Sequence, residues 1–152
     1  MPITPLHFGP GVLARAAIGP RFGLAGYLVS QVLLDLEPGL KLFGLIAEGI
    51  GLHTLHTLSV APLYVAATLW VVWGWRRVRT ASAPQPFWTE ALGATVGVVS
   101  HLALDALYHV DVAAGLGYPG VSALVPREVL DGSLAVMLLA SLVAAYYWIN
   151  KQ

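Results

Sequence analysis

Two histidines and two aspartates stand close together in SHLALDALYHVD, residues 100–111 of an otherwise apolar stretch. On a helix, His101 and Asp105 are four residues apart and His109 follows four residues later, so each is offset by only about 40° around the axis. Asp111 lies beyond the apolar run, where the chain can leave the helix and fold back. The spacing therefore predicts a group of side chains that face one crevice.

Two further pairs of ionisable residues stand at the ends of other apolar runs. His53 and His56, in LHTLHT, are spaced to share one helix face. Asp35 and Glu37, in LLDLEP, would face opposite ways on a continuous helix. We expect Pro38 to end the helix there, which would let both carboxylates turn inward.

Imidazole and carboxylate ligands without thiolates suit zinc, with manganese or iron as alternatives, and the chain contains no cysteine. The group exceeds the ligand set of one catalytic zinc, so two or three bridged ions are expected. Such ions activate water and neutralise phosphoryl oxygens. Asp35 and Asp105 are the candidate catalytic carboxylates, which would bridge metals or orient the water. A single histidine or carboxylate at a helix end is more often simply solvated, and the metal hypothesis depends on their shared location.

The elements that would position these groups are membrane helices. The chain has 152 residues, of which 57% are hydrophobic and 11% charged, and a span needs about 20 apolar residues. We expect spans at residues 22–36, 53–75, 87–108 and 132–149. The predicted fold class is an all-α polytopic bundle of about four transmembrane helices plus a short N-terminal re-entrant or interfacial helix. Residues 1–152 are expected to form a single domain.

The loop after residue 75 carries the concentrated positive charge, Arg76, Arg77 and Arg79, next to tryptophans at both flanking helix ends. The positive-inside rule and the aromatic belt place this loop on the cytoplasmic side. The ionisable clusters then gather on the opposite, extracytoplasmic face of a bacterial or archaeal cytoplasmic membrane. Glu90, near the start of the third span, is expected to be a first-turn carboxylate favoured by the helix dipole. No basic tract suggests a nucleic-acid partner.

His7 depends on the arrangement of the N-terminus. Residues 10–18 form a helical candidate that is broken by GPRFG at residues 19–23. If residues 22–36 cross the membrane alone, His7 starts on the cytoplasmic side. If residues 10–18 form a half-membrane helix paired with that span, His7 returns to the cluster, and the proline-glycine hinge favours this second arrangement.

Four motifs in order, TPLHFGPG, LLDLEP, LHTLHT and SHLALDALYHVD, resemble the YdjM-like family of predicted membrane-bound metal-dependent hydrolases. That family is considered distantly similar to zinc-dependent phospholipase C and the zinc-dependent single-strand nucleases, helical enzymes with a tri-zinc cluster. Glu37 stands where many relatives carry a second aspartate, and the spacing before the second histidine of LHTLHT varies among them. The ligands that the resemblance implies are His7, Asp35, His56, His101 and Asp105.

The expected function is that of a membrane-bound hydrolase that uses zinc-activated water. The simplest such enzyme is a phosphoesterase acting on a lipid or lipid-linked phosphate. The full set of expected metal ligands is His7, Asp35, Glu37, His53, His56, His101, Asp105, His109 and Asp111. The alternatives are a non-catalytic metal-binding or metal-transporting membrane protein, a haem protein and a structural protein without metal. Carboxylates around the histidines argue against haem. The expected partner is membrane lipid, and the oligomeric state stays open because the small residues Gly93 and Gly97 suit packing within the chain or between subunits.

Overall fold

The computed structural model describes residues 5–45, 57–78, 86–109, 112–113 and 124–149. These ranges contain helices and no strand, which confirms the predicted all-α class. The elements are α1 (Pro5–Ile18), a 3-10 helix (Gly19–Arg21), α2 (Leu24–Leu42), α3 (Ala61–Val78), α4 (Phe87–Tyr108) and α5 (Arg127–Ile149).

The helix boundaries agree with the sequence in some places and differ in others. The bounds of α4 are those predicted from its apolar run. The first helix begins at Pro5, earlier than expected, and accommodates Pro10 in its interior. The last helix begins at Arg127 rather than at residue 132, with Glu128 in its first turn, where a carboxylate is favoured by the helix dipole.

The prediction that Pro38 ends the second helix is wrong. Pro38 lies inside α2, which continues to Leu42. The helix is ended instead by Gly44, whose φ of 67° is readily adopted only by glycine. The Gly44 N–H donates to the Lys41 carbonyl and the Leu45 N–H to the Leu40 carbonyl, each at 2.9 Å, which is the Schellman arrangement. Glu37 is therefore a residue of a continuous helix, and its side chain lies outside the described part of the chain.

Helices α2 and α4 run parallel and in close contact. Gly23 N–H donates to the Thr89 carbonyl at 2.9 Å near the start of both helices, and Gln31 Nε2 donates to the Gly97 carbonyl at 2.8 Å further along. The contact depends on glycine, because a Cβ atom at Gly93 would lie 1.9 Å from the Gly23 carbonyl oxygen. The G-x-x-x-G pattern of α4 thus packs against a helix of the same chain.

An ion pair with a buried carboxylate links α3 to the start of α4. Glu90 is 3% exposed, and its carboxylate accepts hydrogen bonds from the Arg76 guanidinium and from the Gly26 N–H. Glu90 does stand in the first turn of α4, as predicted, but the structure adds partners that the sequence did not reveal. These bonds join α2, α3 and α4 at one end of the bundle.

Helix α1 runs back along the bundle in the direction opposite to α4. Near its start His7 contacts His101, and near its end Arg15 Nη1 donates to the Phe22 carbonyl at 2.7 Å. It also packs on α5, where Ser141 Oγ donates to the Gly9 carbonyl at 2.8 Å. The 3-10 helix with Gly19 at a φ of 69° reverses the chain into α2, so the N-terminal hairpin returns His7 to the level of His101.

Two described helices are long and apolar enough to cross a membrane. They are residues 87–107 of α4 and residues 128–147 of α5. A shorter apolar stretch covers residues 24–36 of α2. Only 17% of the α5 window is buried inside the protein, compared with 50% of the α4 window, so α5 is the peripheral helix of the pair.

Candidate metal centre

Three helices bring one group of side chains together, which we call the His–Asp cluster: His7, Asp35, His101 and Asp105. Helix α1 supplies His7, α2 supplies Asp35, and α4 supplies His101 and Asp105 one helical turn apart. The parallel register of α2 and α4 sets Asp35 beside His101. The cluster therefore forms where the N-terminal hairpin closes against α4.

The two imidazoles form the buried floor of the cluster. His7 is 1% exposed and His101 is 0% exposed. Their ring centroids are 4.4 Å apart with an interplanar angle of 85°, and their Nδ1 atoms lie 3.1 Å apart. At that distance one Nδ1 must carry a proton that points toward the other Nδ1, either alone or together with a second acceptor.

The carboxylates lie on the other side of the His101 ring. Nε2 of His101 is 3.4 Å from Oδ1 of Asp35 and 3.3 Å from Oδ2 of Asp105. The Asp35 and Asp105 side chains are 19% and 12% exposed, respectively. Because the imidazoles are fully enclosed, the carboxylates mark the side from which water or a ligand reaches the cluster.

The donor set and its spacing fit a divalent cation. His7, His101 and Asp105 each offer a ligand atom, and these atoms all lie within 4.8 Å of one another. Ligands of a tetrahedral zinc ion are about 3.4 Å apart, given metal–ligand bonds of about 2.1 Å. The two distances from His101 Nε2 to the carboxylates match that spacing. His7 Nε2 is buried and has no hydrogen-bond partner among the described residues, so it is available as a ligand atom.

Several sequence-predicted ligands are not placed in the cluster. His53, His56 and Asp111 lie outside the described residues, as does the side chain of Glu37. The assignment of His109 as a ligand stays a prediction. Helix α4 ends at Tyr108, and His109 caps it in an extended conformation with φ of −122° and ψ of 115°. A ring beyond the last helical residue no longer follows the 3.6-residue repeat. His109 is not a member of the ligand group formed by the described residues.

The sequence did not single out Gln31, Tyr27 and Ser100, which contact the cluster. Gln31 Oε1 is 2.9 Å from His101 Nδ1. The Tyr27 hydroxyl donates to the His7 carbonyl at 2.8 Å and lies 3.3 Å from Ser100 Oγ. Gln31 could have been identified from its position one helical turn before Asp35, and Ser100 from its position next to His101.

Comparison with known proteins identifies no relative of the chain. No protein-family model, curated protein or solved structure matches the chain.

Proposed function

We propose that the protein is a membrane-bound, zinc-dependent hydrolase of the YdjM-like type, acting on a phosphoester of a lipid or lipid-linked substrate. The observation that carries the proposal is the convergence of His7, His101 and Asp105, whose ligand atoms lie within 4.8 Å of one another. Buried imidazoles in an apolar bundle are costly unless they are satisfied. A metal ion held by these residues would satisfy them.

The membrane assignment is supported by the surface of α5. After residue 133, its large exposed side chains among the described residues are apolar or aromatic, which is typical of a lipid-facing helix and unusual for a soluble surface. These side chains are Val136, Leu139, Leu142, Val143, Tyr146 and Tyr147.

The packing of α3 supports four spans rather than two. Near the start of α3, Ala61, Tyr64 and Val65 pack on the core of Leu34, Val98 and Leu102. Near its end, Arg76 pairs with Glu90. Helix α3 thus runs antiparallel along α2 and α4 over most of their length. If α4 crosses the membrane, α2 and α3 occupy the same depth beside it.

The roles of the chain's own residues follow from their positions. His7, His101 and Asp105 would hold the ion, and a bound zinc ion supplies Lewis acidity that lowers the pKa of water to about 7 and stabilises charge on a phosphoryl oxygen. Asp35 lies at the more exposed rim, where its Oδ1 can orient water or accept its proton. The enclosed histidines keep bulk water away from the floor of the site.

The position of the carboxylate rim supports a lipid-linked substrate. The cluster lies in the second half of α4, toward the end opposite the arginine-rich loop, which the positive-inside rule places in the cytoplasm. Lipid headgroups lie at that depth on the extracytoplasmic side. A phosphoester attached to a lipid could therefore reach the carboxylate rim without leaving the membrane.

The hydrolase proposal is tested with purified protein in detergent, loaded with zinc and incubated with soluble phosphodiesters and phospholipids. We expect chelator-sensitive release of product by the wild type and by His109→Ala, and none by His101→Ala. Zinc bound without turnover of any substrate would contradict the hydrolase and favour the metal-binding alternative. Turnover by His101→Ala would show that the activity does not depend on the His–Asp cluster.

A further inference from the structure

Gln31 connects the backbone of α4 to the imidazole floor of the His–Asp cluster. Its side chain is fully buried. The Nε2 group donates to the Gly97 carbonyl at 2.8 Å, and Oε1 lies 2.9 Å from His101 Nδ1. Since the carbonyl can only accept, the amide nitrogen must face Gly97 and the amide oxygen must face His101.

This amide orientation decides which nitrogen of His101 carries the proton. An amide oxygen is only an acceptor, so Nδ1 of His101 must be the donor in this contact. Nε2 is then the nitrogen that faces the two carboxylates, and a metal ion bound there would lie between the imidazole and those oxygens. That atom is the one placed 3.3 Å from Asp105 Oδ2 and 3.4 Å from Asp35 Oδ1.

The neighbouring His7 ring cannot impose the opposite tautomer without a penalty. If His7 Nδ1 donated across the 3.1 Å contact, His101 Nδ1 would be an acceptor. Its lone pair would then face the lone pairs of Gln31 Oε1 at 2.9 Å, an unsatisfied and repulsive contact in a buried site. The arrangement that satisfies both rings has His101 Nδ1–H donating to Gln31 and His7 Nδ1 as a second acceptor.

We propose that Gln31 is a positioning residue that fixes the tautomer of His101 and thereby selects Nε2 as its metal-ligating atom. The metal part of this inference rests on the proposed function, whereas the tautomer belongs to the protein without metal. Partners that bind the second nitrogen of a ligand histidine in this way orient the ring and tune the metal affinity.

The packing of α2 on α4 provides the fixed end of this connection. A Cβ atom at Gly97 would lie 2.0 Å from Ser30 Oγ and 3.1 Å from Gln31 Nε2. Glycine at residue 97 thus allows the backbone carbonyl to come within reach of the amide. The hydrogen-bonded row runs from the Gly97 carbonyl through Gln31 and His101 to the two carboxylates.

The tautomer is measured first, by nitrogen NMR of metal-free protein labelled at histidine, with His101→Ala used to assign the signal. We expect Nδ1 of His101 to carry a proton in the wild type and to lose that preference in Gln31→Met, which has similar length but no amide oxygen. Gln31→Glu keeps an oxygen beside His101 and should keep the proton on Nδ1, although it loses the N–H donor to the Gly97 carbonyl. The matched control is Ser30→Ala, at the same helix contact, because the Ser30 hydroxyl donates to the Tyr27 carbonyl of its own helix. An Nδ1 without a proton in the wild type, or an unchanged Nδ1 signal in Gln31→Met, would overturn the proposal.

Zinc titration of the same proteins tests the consequence. Gln31→Met should raise the zinc dissociation constant about 10- to 100-fold, the range measured for loss of such partners. Ser30→Ala should stay near the wild type, and equal affinity in Gln31→Met would contradict the positioning role. A wild type that has the expected tautomer but binds no zinc would refute the proposed function and leave the tautomer assignment supported by its own NMR result.

Discussion

His7 and His101 lie 94 residues apart in sequence, yet their Nδ1 atoms are 3.1 Å apart in the buried floor of one cluster. The contact exists because α1 folds back through the 3-10 helix at Gly19–Arg21 and runs against α4. The N-terminal hairpin is therefore part of the site rather than a peripheral extension.

Removing the hydroxyl that anchors His7 should weaken the cluster. The Tyr27 hydroxyl donates to the His7 carbonyl at 2.8 Å, so Tyr27→Phe should lower the free energy of unfolding by about 1 kcal/mol. Zinc binding should weaken as well, because the position of His7 is less defined. Thermal unfolding and zinc titration measure both effects. Tyr146→Phe, at a side chain 65% exposed, is the control and should change neither quantity.

Breaking the ion pair at the other end of the bundle should affect stability without affecting the cluster. Glu90→Ala removes the carboxylate that Arg76 and the Gly26 N–H bind. Because the Arg76 side chain is 31% exposed and can be hydrated, the loss should be about 1–3 kcal/mol and should come mainly from the buried Gly26 N–H. Denaturant unfolding measures the loss. Glu128, an exposed residue in the first turn of α5, offers a control. The free energy of unfolding of Glu128→Gln should stay within about 0.5 kcal/mol of the wild type. An unchanged Glu90→Ala protein would contradict the structural role of this pair.

Two glycine substitutions should change the stability of the protein in opposite directions. In Gly93→Ala the new methyl group would meet the Gly23 carbonyl oxygen at 1.9 Å, and because backbone cannot yield as a side chain can, the loss should reach at least the usual overpacking cost of about 1–3 kcal/mol. Gly132 lies inside α5 with nothing within 4 Å of an added Cβ. Gly132→Ala should therefore stabilise the helix by about 0.5–1 kcal/mol. Equal effects of the two changes on thermal unfolding would contradict the close α2–α4 contact.

The absence of natural cysteines makes the sidedness of the protein directly testable. Phe87, at the start of α4, and Leu124, before α5, are 62% and 73% exposed. A cysteine replacing Leu124 should react with a membrane-impermeant thiol reagent in intact cells, whereas one replacing Phe87 should react only after permeabilisation. The same accessibility for both would contradict a membrane crossing by α4.

The sequence predicted those features that depend on local pattern and missed those that depend on distant partners. The bounds of α4 followed from its apolar run, and the hinge at residues 19–23 followed from its glycines and proline. Pro38 misled because a proline costs a helix one hydrogen bond without forcing it to end, whereas the left-handed glycine at 44 does end it. The partners of Glu90 and Gln31 lie on other helices, and only the folded register of α2, α3 and α4 brings them together.

Metal binding by the His–Asp cluster can be measured directly as the metal content of protein purified in detergent, determined by elemental analysis. The variants are His101→Ala and Asp105→Asn, with His109→Ala as the matched control because that histidine lies outside the ligand group. We predict bound zinc in the wild type and in His109→Ala, and its loss in the other two variants. Zinc, manganese and iron at background in the wild type, or metal retained equally by all four proteins, would contradict metal binding by the cluster.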